Sequence, residues 1–270
     1  MRVGFIGAGR MGRPMVGRLV AAGHDIRVLG RTDEKRSDVE QLGARAVSNA
    51  VDAAANADAV VLCVFTDAQV REICLADGLL SAMRAGSTLV VHTTANPDTI
   101  AAIAQHANGI DVIDAAVSGG PHDIAAGRLT VFVGGADRAV DRVRPLLDCY
   151  ADPMLHVGPA GAGQTVKLVN NALFAAQIGL LAESMRLGER LGVPESTLLT
   201  ALVHGSATSR VLNLAAAGGS IASFIERTGE FVAKDVAVVR GIAAELDTNL
   251  GALDDAIEAI GAVRQMTRDS

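Results

Sequence analysis

The hydrophobic positions of this chain change their spacing at about Gly163. Before that residue, short apolar runs of strand character alternate with segments in which apolar residues recur at helical spacing. The predicted strands are residues 3–6, 25–29, 58–64, 88–91, 111–113, 129–133 and 154–157, and the predicted helices are 13–22, 67–75, 97–105 and 137–149. This alternation predicts an α/β domain with a parallel, doubly wound sheet, completed by a hairpin-like piece around 129–133.

After Gly163 the strand pattern stops. Residues 164–191 show apolar positions at helical spacing throughout and end in Gly192-Val193-Pro194, a typical helix stop. Further helices are predicted at 195–203, 209–217, 232–246 and 252–263. We therefore predict an α/β domain over residues 1–160 and an all-helical domain over 161–270, entered by one long interdomain helix.

A glycine-rich turn separates the first predicted strand from the first predicted helix. It consists of Gly7, Ala8, Gly9, Arg10, Met11 and Gly12. In a Rossmann-type domain the first glycine permits the tight turn, the second lets the backbone approach a pyrophosphate, and the third lets helix and strand pack closely. A glycine turn can also be purely steric, but the strand before it and the helix after it favour a dinucleotide bound by these six residues.

The end of the second predicted strand bears on the choice of dinucleotide. NAD-selective domains carry an acidic residue here for the ribose 2′-hydroxyl, whereas this chain has Gly30, Arg31 and Thr32, and its first acid is Asp33. Arg31 offers a planar cationic fork for a 2′-phosphate, with Thr32 beside it. An arginine here could also be a plain solvated side chain. We predict NADP(H) as the preferred cofactor, with NAD(H) possible.

Composition narrows the class of protein. Half of the 270 residues are hydrophobic, the formal net charge is −6 and there is no tryptophan, which disfavours nucleic acid and anionic membranes as partners. The apolar stretch 172–182 is interrupted by Gln177 and Gly179, so no membrane span is predicted. The three cysteines lack metal-ligand spacing, and no signal peptide pattern is present. We expect a cytoplasmic protein without a metal site.

Two polar residues of the predicted long helix could carry chemistry. Lys167 and Asn171 are four positions apart, so a helix places them on one face, one turn apart. A partly buried lysine can donate a proton to a carbonyl oxygen while a hydride arrives, and an asparagine can orient the reacting group without adding charge. Taken alone, Lys167 is more often a lysine whose stem lies along the helix surface; the set Gly163, Lys167, Asn170 and Asn171, with the resemblance described next, favours the chemical role.

Four separated segments resemble one family. They are the glycine turn 7–12; residues 114–120 with 127–130 and 133–135; Gly161-Ala162-Gly163 leading to Lys167 and Asn170-Asn171; and Lys234-Asp235. In this order and spacing the chain resembles the β-hydroxyacid dehydrogenase family, which includes 3-hydroxyisobutyrate dehydrogenase and is related to 6-phosphogluconate dehydrogenase. The resemblance implies a homodimer or higher homo-oligomer. It also implies cofactor contacts from Val64, Phe65, Thr94 and Lys234, and it makes Lys167 and Asn171 the catalytic pair.

The segment Ser118-Gly119-Gly120 is the predicted substrate site. It follows a predicted strand, where ligands collect at the carboxyl end, and glycine N–H groups with the Ser118 hydroxyl could hold a carboxylate. The resemblance implies the same role, although a glycine pair can also be a plain turn. The chain departs from the family's pattern at Ala116, normally proline, and at residues 121–124 (Pro-His-Asp-Ile), where small residues are usual.

These observations favour an NADPH-dependent oxidoreductase that interconverts a small β-hydroxy acid and its semialdehyde or keto acid. Two alternatives stay open. One is an imine reductase of the related group, against which the presence of Lys167 counts. The other is a non-catalytic nucleotide sensor built on the same fold, which neither an appended module nor a basic stretch supports.

Overall fold

The computed structural model describes residues 1–76 and 78–266. The chain forms two compact units, Met1–Lys167 and Leu168–Ser270. The division falls inside one continuous helix, Ala162–Arg190. The predicted boundary between residues 160 and 161 stays a prediction.

The first unit is built on a single sheet. Its strands are β1 (Arg2–Ile6), β2 (Asp25–Leu29), β3 (Arg45–Val47), β4 (Ala59–Leu62), β5 (Thr88–Val91), β6 (Asp111–Ser118), β7 (Leu129–Gly134) and β8 (Ala151–Gly158). They are ordered β3-β2-β1-β4-β5-β6-β7-β8, and every neighbouring pair is parallel except β6 with β7. The predicted doubly wound Rossmann fold is therefore confirmed, including the antiparallel piece near residue 130.

Helices connect these strands. They are α1 (Gly12–Ala21), α2 (Asp33–Glu40), α3 (Ala50–Ala54), α4 (Asp67–Arg71), a π-helical turn (Glu72–Ala76), α5 (Leu79–Ala82), α6 (Pro97–His106), α7 (Pro121–Ala125) and α8 (Asp137–Leu147). Local chemistry sets several of their starts. The Asn96 side chain caps α6 by accepting the Asp98 N–H, and Pro97 occupies the first turn, where its missing N–H costs nothing.

Alternating side chains divide the sheet's core between its two faces. In β1, Val3 and Phe5 pack into the hydrophobic cluster on one face, and Ile6 packs into the cluster on the other. Strands buried on both faces are typical of parallel sheets covered by helices. In the register of the central strands, Ile6 pairs with Leu62 and Leu62 with Val91. The segments that follow β1, β4 and β5 therefore leave the sheet side by side at its carboxyl edge, where doubly wound folds bind ligands.

The second unit is helical, as predicted. It contains most of α9 (Ala162–Arg190), followed by α10 (Glu195–Leu202), α11 (Arg210–Ala217), α12 (Ile221–Glu245) and α13 (Ala252–Met266). The prediction places the start of α12 eleven residues too late, at 232, because the polar and glycine run 226–230 interrupts the apolar pattern that begins at Ile221. Ser220 caps this helix by accepting the Ser223 N–H at 3.1 Å.

Helix α9 is central to the second unit's core. In the described part of the chain it is the one helix long and apolar enough to cross a membrane by length and composition alone. Its residues Ile178 and Ala182 are buried with α11 and α12 side chains. At Gly179 an added Cβ would lie 1.7 Å from the Ala256 carbonyl oxygen, so glycine here lets α13 approach the α9 backbone. Gly179, one of the two residues that interrupt the apolar stretch, is thus a point at which two helices pack closely.

Candidate active site

In the glycine turn between β1 and α1, the packing of the fold requires glycine at two positions, Gly7 and Gly12, but not at Gly9. Gly7 has φ +102°, and an added Cβ would lie 2.2 Å from the Cys63 carbonyl oxygen. An added Cβ on Gly12 would lie 2.1 Å from the Gly7 carbonyl oxygen. At Gly9, by contrast, no atom lies within 4 Å of an added Cβ. The open space over Gly9 is what a bound pyrophosphate needs.

The start of α1 suits the same ligand. No side chain caps the helix at Met11, and the first turn contains no acidic residue. An uncapped helix N-terminus leaves N–H groups directed at an anion, and the helix dipole favours negative charge there. The six residues predicted to hold the dinucleotide phosphates therefore lie in a setting that fits the group.

The end of β2 carries Arg31, whose side chain is exposed. Thr32 is the N-cap of α2 and accepts the Lys35 N–H through its hydroxyl oxygen at 3.2 Å. Asp33 is bonded to Arg36, whose guanidinium also donates to the Gly30 carbonyl at 2.9 Å. Asp33, the first acidic residue after β2, is thus paired with Arg36. The sequence gives no sign of this pairing, because only the helical fold of α2 brings the Arg36 side chain back to Gly30.

The segments after β4 and β5 are joined through Thr93. Its hydroxyl oxygen accepts the Val64 N–H at 2.9 Å and donates to the Val64 carbonyl at 3.0 Å. Phe65 is 43% exposed, and Thr94 is buried at 8%. The predicted cofactor contacts Val64, Phe65 and Thr94 therefore lie together at the carboxyl edge of the sheet.

His92, at the end of β5, could be mistaken for an acid or base. Its ring nitrogens lie 2.5 Å from the Ala115 carbonyl oxygen and 2.8 Å from the Tyr150 hydroxyl, and the side chain is buried. Burial lowers the pKa of His92 to about 4, although the Ala115 contact opposes that shift. His92 is consequently neutral near neutral pH and serves to hold the strand end.

Asp114 in β6 anchors the beginning of α9. Its carboxylate accepts the N–H groups of Gly161 and Gln164, both at 2.6 Å. Burial raises the pKa of the Asp114 carboxyl, and these N–H groups act against the rise. An added Cβ on Gly163 would lie 2.8 Å from the Asp114 carboxylate, which explains that glycine. Asp114 thus fixes the helix that carries Lys167.

The segment predicted to hold a substrate carboxylate has an internal contact at Gly120. The Gly120 N–H, expected to be free, donates to the Asp123 carboxylate at 2.8 Å. Gly120 is the N-cap of α7 and Asp123 is the third residue of that helix, a position from which an acid reaches back to the cap. The same carboxylate lies against Gly119, where an added Cβ would be 2.7 Å from an Asp123 oxygen. The Gly120 N–H is thus bonded to a carboxylate of the chain itself, and the role of residues 118–120 in substrate binding stays a prediction.

The second unit brings together polar residues that are distant in sequence. The Asn171 amide donates to the Asp235 carboxylate and accepts from the Asn170 amide at 3.0 Å. Lys234 Nζ lies 3.0 Å from Asp235 Oδ1. The sequence marks Asp235 only as part of a Lys-Asp motif, because a contact that spans 64 positions leaves no local signal. Lys167 lies four residues before Asn171 in α9 and is half-buried.

The predicted site residues thus fall into two groups. The first unit carries the glycine turn, Arg31, Thr32, Val64, Phe65, Thr94, Ser118, Gly119, Gly120 and Lys167. The second carries Asn171 and Lys234. In the described residues no group of three or more metal-ligating side chains is found. The first group contains all predicted cofactor contacts except Lys234. In the second, Asn171 and Lys234 both contact Asp235.

Known families match almost the whole chain. Residues 2–158 match the NAD binding domain of 6-phosphogluconate dehydrogenase. Residues 161–269 match the family described as NAD-binding of NADP-dependent 3-hydroxyisobutyrate dehydrogenase.

Individual proteins agree with these matches. The chain is 31% identical over 215 residues to 3-hydroxyisobutyrate dehydrogenase of Pseudomonas aeruginosa, covering 78% of this chain and 72% of that one. It is 35% identical over 200 residues to NAD-dependent L-serine dehydrogenase of the same species, covering 73% and 67%. The solved structure of Mycobacterium tuberculosis 3-hydroxyisobutyrate dehydrogenase with L-serine superposes with a TM-score of 0.86 at 27% identity, covering 96% of this chain and 92% of that one. The chain therefore belongs to the β-hydroxyacid dehydrogenase family and is an NAD(P)-linked oxidoreductase that acts on hydroxyl groups.

Proposed function

We propose that this enzyme interconverts a small β-hydroxy acid and its semialdehyde or keto acid, with Lys167 as the general acid and base. The observation that carries the proposal is the anchored amide of Asn171, which the Asp235 carboxylate fixes one helical turn after Lys167. A bound nicotinamide supplies or accepts the hydride. In reduction Lys167 Nζ gives a proton to the carbonyl oxygen, and in oxidation it removes the proton from the hydroxyl.

Asn171 has a defined part in this scheme. Its amide nitrogen is held by Asp235, so the orientation of the side chain is fixed. Its carbonyl oxygen accepts one bond from Asn170 and retains a second lone pair. That oxygen can accept a hydrogen bond from the substrate hydroxyl or from the Lys167 ammonium, and so orients the group that exchanges the proton.

A panel of substrates tests the proposed reaction. Purified enzyme with NADPH is assayed against small semialdehydes and keto acids, and with NADP⁺ against the matching β-hydroxy acids. Turnover of at least one carboxylated pair supports the proposal. Reduction of cyclic imines alone would favour an imine reductase, and tight NADPH binding without turnover on any compound would favour a nucleotide sensor.

We propose NADP(H) as the preferred cofactor, with Arg31 contacting the 2′-phosphate. Arg31→Ala is expected to weaken NADPH binding about 10- to 100-fold, because a charge-assisted bond of this kind contributes about 1.5–3 kcal/mol. NADH affinity, measured by the same fluorescence titration, should change less than about threefold, since NADH lacks the phosphate. Equal losses for both nucleotides would remove Arg31 from the phosphate site.

The Asp123 contact bears on substrate affinity. Asp123→Ala is expected to lower the KM for a carboxylated substrate about tenfold, because it frees the Gly120 N–H and removes a like charge. Asp123→Asn is the matched control. Its amide oxygen still accepts the Gly120 N–H while the charge is gone, so it should give a smaller gain. An unchanged or raised KM in Asp123→Ala would show that substrate carboxylates bind without the Gly120 N–H.

We propose that the enzyme is a homodimer or higher homo-oligomer in the cytoplasm. Support for self-association is a row of exposed apolar residues on one side of α9, namely Val169, Leu173, Leu180 and Leu187, each at least 49% exposed. Support for the compartment is that the three cysteines are free thiols.

The exposed row gives a test of assembly. Leu180→Glu places a charge in the middle of it and is expected to lower the molecular mass in sedimentation to that of one chain. Leu246→Glu is the control, since Leu246 is 71% exposed at the end of α12 and lies outside the row. An unchanged mass in Leu180→Glu would exclude this face as the interface.

A further inference from the structure

Gln164, in the first turn of α9, is fully buried and forms hydrogen bonds through both the oxygen and the nitrogen of its side-chain amide. Its side-chain oxygen accepts the Ala95 N–H at 2.9 Å, and its side-chain nitrogen donates to the Thr93 carbonyl at 2.8 Å. Its own backbone N–H donates to Asp114 at 2.6 Å. One side chain therefore joins the beginning of α9 to the segment that follows β5, on both sides of Thr94.

The chemistry of this bridge is selective for glutamine. The segment presents one carbonyl and one N–H two residues apart, and a primary amide has both a donor nitrogen and an acceptor oxygen to match them. An ionised glutamate can accept the Ala95 N–H, but it repels the Thr93 carbonyl. A methionine of similar size makes neither bond. Because Thr93 is also bonded to Val64, the segment is held to the chain that follows β4 as well as to α9.

The bridge lies close in sequence to the proposed acid and base. Gln164 precedes Lys167 by three residues, which corresponds to a rise of about 4.5 Å along the helix. Thr94, held between the two bonded residues, is one of the predicted cofactor contacts, and the part of the cofactor assigned to it in this proposal is the nicotinamide. Hydride and proton are delivered to adjacent atoms of one carbonyl group, and an error of about 1 Å in such an arrangement can cost about 100-fold in rate.

We propose that Gln164 is a positioning residue that fixes the offset between the nicotinamide-side segment Thr93–Ala95 and Lys167. The inference rests on the proposed function, since it assumes that Thr94 contacts the cofactor and that Lys167 is the general acid and base. Gln164 touches neither reactant; it acts through the backbone of the loop and of the helix. Its loss should therefore slow the chemical step more than it weakens binding.

Gln164→Met is the first test. We expect kcat to fall about 100-fold, with the KM of the carbonyl substrate within about threefold of wild type and a larger deuterium isotope effect on kcat with 4-deuterated NADPH. Thr165→Val is the matched control. It removes a hydrogen bond of the same helical turn, from Thr165 to the Gly161 carbonyl, without touching residues 93–95, and it should keep wild-type kcat. A kcat for Gln164→Met within threefold of wild type would overturn the inference, as would an equal loss in Thr165→Val.

Gln164→Glu keeps the test decisive if the methionine variant does not fold. A protonated glutamate regains the donor to the Thr93 carbonyl, whereas the ionised form loses it. The ratio of its kcat to that of wild type should therefore fall as the pH rises from mildly acidic to mildly alkaline. A flat ratio across that range would contradict the inference.

A third measurement separates failure of this inference from failure of the proposed function. Lack of turnover by the wild type on every substrate counts against the proposed function alone. In that case the positioning role of Gln164 is tested by measuring the nucleotide affinities of Gln164→Met. Gln164→Met should weaken NADPH about tenfold and leave 2′,5′-ADP, which lacks the nicotinamide, unchanged. Equal affinities for NADPH in the variant and wild type would overturn the positioning role.

Discussion

Replacing Lys167 with methionine is expected to lower kcat by about 10²- to 10⁴-fold, the usual contribution of a positioned general acid or base. Methionine keeps the length and apolar stem of lysine but has no proton to exchange. NADPH affinity should stay within about threefold of wild type, because the dinucleotide phosphates are proposed to bind at the glycine turn. Steady-state kinetics in both directions, with a fluorescence titration of NADPH, provide the measurement.

The control for this variant is Lys35→Met. Lys35 lies on α2 with its side chain 59% exposed, where it pairs with Asp38. The same chemical change should leave kcat as in wild type, since an exposed ion pair contributes little. Retention of kcat within tenfold in Lys167→Met would assign the proton transfer to another group or to solvent.

The parts of the fold that the sequence predicted are those with a local periodic signal. Strands β2 and β5 were placed at their observed bounds because apolar runs there end at polar or glycine residues. Helix α2 was missed since Val39 is its one fully buried residue, so no apolar stripe marks it. Strand β3, only three residues long, lies at the edge of the sheet and also carries too little pattern.

The site was predictable to the extent that it consists of motifs. The glycine turn and the Lys167–Asn171 spacing can be recognised because each depends on a few neighbouring positions. The Asp235–Asn171 bond and the Gln164 bridge to residues 93 and 95 join positions 64 and about 70 apart, which only the folded chain brings together. The Asp123 contact is local, and an acid three residues after Gly120 could have been recognised as a capping pattern.

The glycine turn yields the second large expected effect, through a pair of alanine variants. At Gly12 a methyl group would lie 2.1 Å from the Gly7 carbonyl oxygen and 2.8 Å from the Phe5 ring. Gly12→Ala should therefore lower the free energy of unfolding by about 1–3 kcal/mol or more, seen as a lower Tm, and weaken NADPH as the turn shifts. At Gly9 nothing lies within 4 Å, so Gly9→Ala should keep the wild-type Tm.

Gly9→Ala should nevertheless weaken NADPH binding about 100-fold, because its methyl group occupies space that the pyrophosphate needs for close approach to the backbone. Thermal unfolding without nucleotide and fluorescence titration with NADPH separate the two effects. Wild-type affinity in Gly9→Ala would mean that the turn is glycine-rich for steric reasons alone. Since the protein's own packing does not require glycine at position 9, a loss of binding without a loss of stability would place the dinucleotide phosphates directly above that residue.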